Sequence, residues 1–518
     1  MQRHKILWAD DEIDLLKPHI LFLTSKGYDI TPVNSGADAI EQCEVANYDI
    51  VFLDENMPGM TGLETLAQIK TQKPNLPVVM ITKSEEEHIM EQAIGSQIAD
   101  YLIKPLNPNQ ILLSVKKILE NKRLVSEKTT LNYQQEFRNL SMAYNDRLDH
   151  EQWADIYKKL IYWELALDNS ENKDMREMLE SQKAEANKYF CDFIMDSYEH
   201  WIKDPKAEKP LLSNQLMLKK VFPLLANPEP VFFILIDNLR YDQWKIIEPM
   251  ISEYFTVEEE STYYSILPTT TEFARNSIFS GLMPSDMQKN HPDLWVDDDE
   301  ETGRNLNEDK FLEHQLKRNR LDAKMSYHKI IHTNQGKTLL DNITNLMSNK
   351  LNVIVYNFVD MLSHARTDIA MIRELAPDEP AYRSITKSWF LHSPLFDIIK
   401  KIAEKKVRLV ITTDHGTIRV QRPYKIIGDK ETNTNLRYKQ GKNLTFDEKN
   451  IYFTRKPENL MLPKRNLTTT YVFTKEDYFL AYPNNFNYYV NYYKDTFQHG
   501  GISLEEMIIP FISLSPKQ

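Results

Sequence analysis

An α/β protein of several domains is predicted by three observations. Short apolar runs alternate with amphipathic helical segments over residues 1–120. These runs then stop through residues 116–212, where charged, helix-favouring sequence takes over. Beyond residue 211 they return, and three of them close on an aspartate. At 518 residues the chain exceeds the roughly 100–200 of a single domain, so boundaries are placed at 1–120, 121–210 and 211–518.

Composition narrows the function classes. A hydrophobic share of 42% against 27% charged residues is that of a chain that folds rather than one that stays disordered. The net charge of −12 argues against a general nucleic-acid binder, whose affinity needs a basic surface. No helix-turn-helix signal or basic recognition helix is legible between the first and last domains. No apolar run approaches the ~20 residues of a membrane helix, and no leader is seen, so a cytoplasmic protein without a membrane span is expected. The two cysteines, Cys43 and Cys191, lie far apart without a CxxC pattern, which excludes a disulfide scaffold and a thiolate zinc site and leaves both structural.

In the first domain the runs HKILWAD, YDITPV, YDIVFLD, PVVMIT and ADYLIKP read as strands of a parallel sheet. Asp10 and Asp11 follow the first, Asp54 closes the third, Thr82 ends the fourth, and Lys104 precedes Pro105 after the fifth. Several carboxylates at strand ends would repel an incoming phosphoryl group unless a divalent cation and Lys104 neutralised its charge. The set resembles a two-component receiver domain, which has a flavodoxin-like fold. That resemblance implies Asp54 as phosphoacceptor, a sensor histidine kinase as phosphodonor, and Mg2+ held by Asp10, Asp11, Asp54 and the backbone carbonyl of Asn56. It also implies Thr82 and Tyr101 as a switch pair, the threonine drawn inward by the phosphate and the tyrosine rotating in behind it.

The middle segment carries Trp153, Ile156, Tyr157, Leu160 and Trp163 at helical spacing, the pattern of a packed stripe in a bundle of two to four helices.

In the last domain the runs at 231–237, 352–360 and 407–414 each end in an acid, Asp237, Asp360 and Asp414. Ligands of open α/β sheets sit at the carboxyl ends of strands, so the three point to one site. Asp360 and His364 stand four apart, a spacing that returns side chains to one helix face. Asp414 and His415 precede Gly416, and His499 lies in QHGG. Such a donor set suits two metal ions about 4 Å apart, which can hold the attacking and leaving oxygens of a phosphoryl displacement. The acidic run at 296–303 reads as a solvated loop. His328, His332 and His392 read as ordinary polar side chains.

The set resembles the alkaline phosphatase superfamily, more narrowly its PglZ-type branch. The resemblance implies two Zn2+ ions, one held by Asp237, Thr271, Asp414 and His415, the other by Asp360, His364 and His499. Thr271 in LPTTTEFARNSIFSGLMP matches the nucleophile spacing of nucleotide pyrophosphatase/phosphodiesterase members, with Thr269 and Thr270 as near alternatives. It would attack phosphorus and be released by water, with net retention. Arg275 is either a phosphate contact or a surface charge, and no counterpart of the additional magnesium site of the monoesterases is found, which favours a diester. The basic stretch at 417–445 suits a nucleotide or oligonucleotide, or is simply a solvated loop.

In this order the three parts resemble the PorX-type response regulators of type IX secretion. That implies a phosphodiesterase acting on cyclic or linear oligonucleotides, phosphorylation-dependent homodimerisation, and a sigma factor or secretion-system component as partner. The competing class is a regulatory binding module with a structural zinc domain. A hydroxyl retained beside both ligand sets favours the enzyme.

Overall fold

A computed structural model describes residues 4–73, 76–83, 98–144, 146–168, 172–295, 306–428, 432–449 and 451–517, without the side chains of 120–129, 368 and 370. The acidic run at 296–303 lies outside them. The chain divides into two compact units, Met1–Asn132 and Tyr133–Gln518.

The first unit is built on five parallel strands, β1 (Lys5–Ala9), β2 (Asp29–Val33), β3 (Ile50–Asp54), β4 (Val78–Thr82) and β5 (Asp100–Ile103). Their order is β2-β1-β3-β4-β5, so the topology switches between β1 and β3. β3 and β4 are buried along their whole length, as continuous apolar runs between two helical layers require. Helix Gly62–Gln72 starts at a capping box in which Thr61 and Glu64 satisfy each other's backbone donors.

The second unit carries a six-stranded sheet. Its members are β6 (Val231–Ile236), β7 (Phe255–Tyr264), β8 (Met325–Ile330), β9 (Leu351–Tyr356), β10 (Arg408–Thr412) and the C-terminal strand Ile508–Pro516. The C-terminal strand lies between β7 and β10, antiparallel to both, and β10, β6, β9 and β8 follow in parallel. Three parallel neighbours, β10, β6 and β9, therefore point their carboxyl ends the same way. β6 and β9 end one and four residues before their acids, so Asp360 sits in the first turn of helix Phe358–Asp368 rather than on the strand expected to reach it.

Of the helical segment expected at 121–210, the residues from Tyr133 onward fall in this second unit. Helices His150–Asp168 and Lys173–Lys203 share one core with the sheet. Trp153, Ile156, Tyr157, Leu160 and Trp163 are buried, as the stripe predicted. Phe190 and Trp201 pack on Tyr264 of β7 with ring centroids 6.2 Å and 5.8 Å apart, so the bundle's apolar face is completed by the sheet and not by itself. Helix Pro108–Ala143 contributes to both units: Ile111 and Val115 are buried in the core of the first, Tyr133 and Leu140 in that of the second.

Candidate functional site

In the first unit, the switch between β1 and β3 collects the acids. Asp10 and Asp54 are buried, and with the exposed Asp11 they bring ligand oxygens within 4.8 Å of one another. Lys104 Nζ lies 2.9 Å from Asp10 Oδ2 and 2.7 Å from Asp54 Oδ1. Burial pushes the Asp54 carboxyl above its ordinary range, the Lys104 hydrogen bond opposes the shift, and Asp10 adds to it. The backbone N–H of Asn56 donates to Asp54 Oδ2 at 3.2 Å. An all-oxygen set with adjacent carboxylates fits Mg2+. Thr82 is buried at the end of β4, while Tyr101 on β5 is 42% exposed.

In the second unit the predicted ligands assemble into two groups. Asp237, Asp414 and His415 form one, Asp360, His364 and His499 the other, each with ligand atoms within 4.8 Å. The groups adjoin: the His415 and His499 rings stack with centroids 4.3 Å apart. His499 Nε2 lies 3.5 Å from Asp360 Oδ1, and His364 Nε2 lies 3.6 Å from Asp360 Oδ2. Local chain geometry makes this possible. A side chain at Gly416 would place a Cβ 2.0 Å from the Glu505 carbonyl, so the turn after His415 needs glycine. Gly500, with φ of +122°, turns the chain directly after His499.

The electrostatics test whether metal ions fit. Burial pushes the Asp237 carboxyl well above its ordinary range; Arg275 opposes this, and Asp414 and Asp360 add to it. Asp414 is held low although burial acts the other way, because Arg275 and His415 outweigh it. Burial brings the His415 imidazole down to about 4, so it is neutral and can offer a lone pair. Two buried carboxylates and a partly exposed third that crowd one another, with neutral imidazole among them, are a donor set that divalent zinc-type ions satisfy.

The three threonines separate clearly. Thr271 is the partly exposed one, and its Oγ1 lies 3.3 Å from Asp237 Oδ1 and 3.1 Å from His415 Nε2. Thr270 is buried. Thr269 is buried as well, donating to the Gly501 carbonyl at 2.8 Å and accepting from the Gly500 N–H at 3.0 Å, so it latches the loop that carries His499.

Arg275 departs from both readings of the sequence. It is fully buried, its guanidinium on Asp237, on Asp414 at 2.9 Å and on Glu308 at 3.5 Å, so it faces the ligand carboxylates and neither a substrate nor solvent. One turn of helix after Thr271 points it inward, behind the acids. The basic stretch is likewise drawn into the fold. Arg419 pairs with Asp495 at 3.0 Å, Arg422 with Glu476 at 2.7 Å and the buried Arg437 with Glu506 at 2.6 Å, while Lys439 donates to the Asn433 carbonyl. Counting charges along the chain hid those acids, which arrive from residues 476–506.

Sequence reasoning missed Asn238. It adopts the left-handed conformation, φ of +64°, which asparagine tolerates better than most residues. Its side-chain amide reaches Asp360 Oδ1 and its backbone N–H reaches Asp414 Oδ1, both at 3.4 Å, so it spans the two groups. An asparagine directly after a strand-closing aspartate was the available signal. A further acidic group, Glu164, Asp242 and Glu379, is occupied by Arg240 and Arg383 and reads as an ion network.

Comparison with known proteins covers all three parts. A family model described as the BREX system PglZ alkaline phosphatase-like domain matches residues 216–514, more than half of the chain. One described as the PorX response regulator linker domain matches 123–202, and the response regulator receiver domain matches 6–116. Among curated proteins, the transcriptional regulatory protein ResD of Bacillus subtilis is 32% identical over 28% of this chain and 60% of its own length. The alginate biosynthesis transcriptional regulatory protein AlgB of Pseudomonas syringae is 35% identical over 23% of this chain and 27% of its own. The chain thus spans less than two thirds of either relative. Chemotaxis protein CheY4 of Vibrio cholerae is a solved structure 25% identical over 23% of this chain and 99% of its own, with a TM-score of 0.22. No described helix is long and apolar enough to cross a membrane.

Proposed function

Because the chain belongs to the PglZ alkaline phosphatase-like family, and carries the receiver, linker and PglZ domains of a PorX-type response regulator, we propose that it is a phosphorylation-controlled phosphodiesterase with two Zn2+ ions and Thr271 as nucleophile. One observation carries the reading: Thr271 Oγ1 sits on Asp237 and His415, beside the stacked His415 and His499 that join the two ligand groups. A purely structural metal site has no use for a partly exposed hydroxyl there.

Asp237, Thr271, Asp414 and His415 would hold one ion and Asp360, His364 and His499 the other. Bound there, the ions supply the positive charge that activates a hydroxyl otherwise too weakly nucleophilic and that stabilises the leaving oxygen. Thr271 attacks phosphorus and expels the first alcohol, and water then displaces Thr271 from the phosphothreonine. Two inversions give retention. Asn238 holds the acids of both groups in register, and the Thr269 latch holds His499.

The substrate class is a nucleotide diester or a cyclic or linear oligonucleotide. The regulatory input is phosphorylation of Asp54 by a sensor histidine kinase, with Mg2+ on Asp10, Asp11 and Asp54, and Thr82, Tyr101 and Lys104 reading out the phosphate. The pathway is type IX secretion, in the cytoplasm, with a sigma factor or secretion-system component as partner.

Hydrolysis of bis-p-nitrophenyl phosphate by the zinc-loaded chain, beside Thr271→Ala at matched metal content, tests the enzyme. Turnover that disappears in the variant supports it. Two equally inactive proteins, also on oligonucleotides, would leave the binding-module reading in its place.

A further inference from the structure

Arg275 divides the oxygens of two ligand carboxylates. Its guanidinium takes Oδ2 of Asp237, whose Oδ1 faces Thr271 Oγ1 at 3.3 Å and His415 Nε2 at 3.8 Å. On Asp414 the sharing differs. Oδ1 is held by the backbone N–H groups of His415 at 3.1 Å and Asn238 at 3.4 Å. Oδ2 lies 2.9 Å from Arg275 Nε and 3.9 Å from His415 Nε2. Each carboxylate is thereby left with one oxygen facing the site.

From this we infer that Arg275 is a positioning residue that limits Asp237 to one oxygen, as the backbone N–H groups of His415 and Asn238 do for Asp414, and so holds the first metal at low coordination number. The inference rests on the proposed metal site. A carboxylate free at both oxygens can chelate a cation through both, which suits ions that take six or more oxygens, such as Ca2+. One oxygen from each of two acids, one imidazole nitrogen and the Thr271 hydroxyl make four donors, the number tetrahedral zinc sites use. The planar fork is what allows one side chain to span two acids, and an ammonium could not do so. Arg275 also lies one helical turn from Thr271, within the same short helical turn Thr271–Arg275 and the helix Asn276–Ser280 that continues it. The residue that fixes the acids and the residue that meets them therefore move as one piece. Glu308, buried and 3.5 Å from the far side of the guanidinium, holds it in place.

Co2+ substitution reads this without turnover, because four-coordinate Co2+ absorbs visible light far more strongly than the five- or six-coordinate ion. The chain is loaded with Co2+, its metal content measured, and its visible band compared with that of Arg275→Gln. The variant is expected to keep two Co2+ per chain while the intensity of the first site's band falls by about threefold or more, since Asp237 gains a second free oxygen. An unchanged band at two ions per chain overturns the inference. So does outright loss of one ion, which would make Arg275 necessary for the site to form. If Arg275→Gln does not fold, Arg275→Lys is read the same way, its single ammonium expected to give a partial fall and an unchanged band overturning the idea. A wild-type chain that binds no Co2+ removes the metal reading and this inference together, whereas a wild-type chain that binds two beside an unaltered variant removes the inference alone.

Discussion

Arg383 Nη1 donates to Glu164 Oε1 at 2.7 Å, across 219 residues, and so joins a helix of the linker segment to a helix beside the six-stranded sheet. Asp168 and Asp242 take the rest of the guanidinium, and Lys183 closes the network on Glu164 at 2.6 Å. Breaking a buried ionic pair from one side leaves an uncompensated charge, so Arg383→Met should destabilise the second unit by ~3–5 kcal/mol, read by denaturant unfolding.

The same network sets an acid limit. Burial acts to raise the Glu164 carboxyl, but Lys183 and Arg383 outweigh it and hold it below its ordinary value. Its stabilising contribution is therefore complete above the unfolded value of about 4.3 and is lost as pH falls towards the lower folded one. Stability of the wild type should decline on acidification below about pH 4 more steeply than that of Glu164→Gln. Parallel slopes would remove Glu164 as the cause.

Thr269 makes a separate prediction, because its hydroxyl is spent on the loop after His499. Thr269→Val should lower zinc affinity by about 10–100-fold, the range for lost outer contacts of metal ligands. Titration against a chelator of known affinity measures it, and unaltered affinity would mean that His499 is positioned by other contacts.

Receiver output is tested by mass. Beryllofluoride, a phosphoryl mimic, should convert the chain to a dimer on a sizing column, and Asp54→Asn should stay unchanged by it. A wild-type mass that does not respond would favour relief of an internal block within one chain.

Thiol chemistry should be silent in the native protein. Cys43 and Cys191 are both buried, and burial pushes each thiol above its ordinary value, Lys73 opposing this at Cys43. A disulfide reagent at pH 8 should titrate neither until denaturant is added, since the thiolate is the reactive form.

The clustering of these acids and histidines was legible because each member carries a local signature: an acid closing an apolar run, Asp360 and His364 one helical turn apart, histidines beside glycines at Gly416 and Gly500. Asp10, Asp54, Thr82 and Lys104 were legible for the same reason. What escaped was pairing over long separation. Arg275 reads as a substrate contact until Glu308 and the two ligand acids are seen around it, and the arginines at 419–437 read as a basic surface until residues 476–506 fold onto them. The stripe of the linker helices was visible in sequence, whereas Tyr264, which Phe190 and Trp201 pack against, was not.

The C-terminal strand, between β7 and β10, has a temporal consequence. As the chain leaves the ribosome, β6, β9, β8 and β10 can pair among themselves, but β7 emerges early and, beyond one bridge from Tyr264 to Leu212, has no strand neighbour until residues 508–516 appear. Its edge must wait while residues 265–507 are made, and long-range pairing of that kind is slow and exposed to misassembly. His499 arrives in the same last stretch of chain. A nascent polypeptide can therefore hold a finished receiver well before the cluster of Asp360, His364 and His499 is complete. The receiver is complete first on each molecule, and the paired clusters of acids and histidines last.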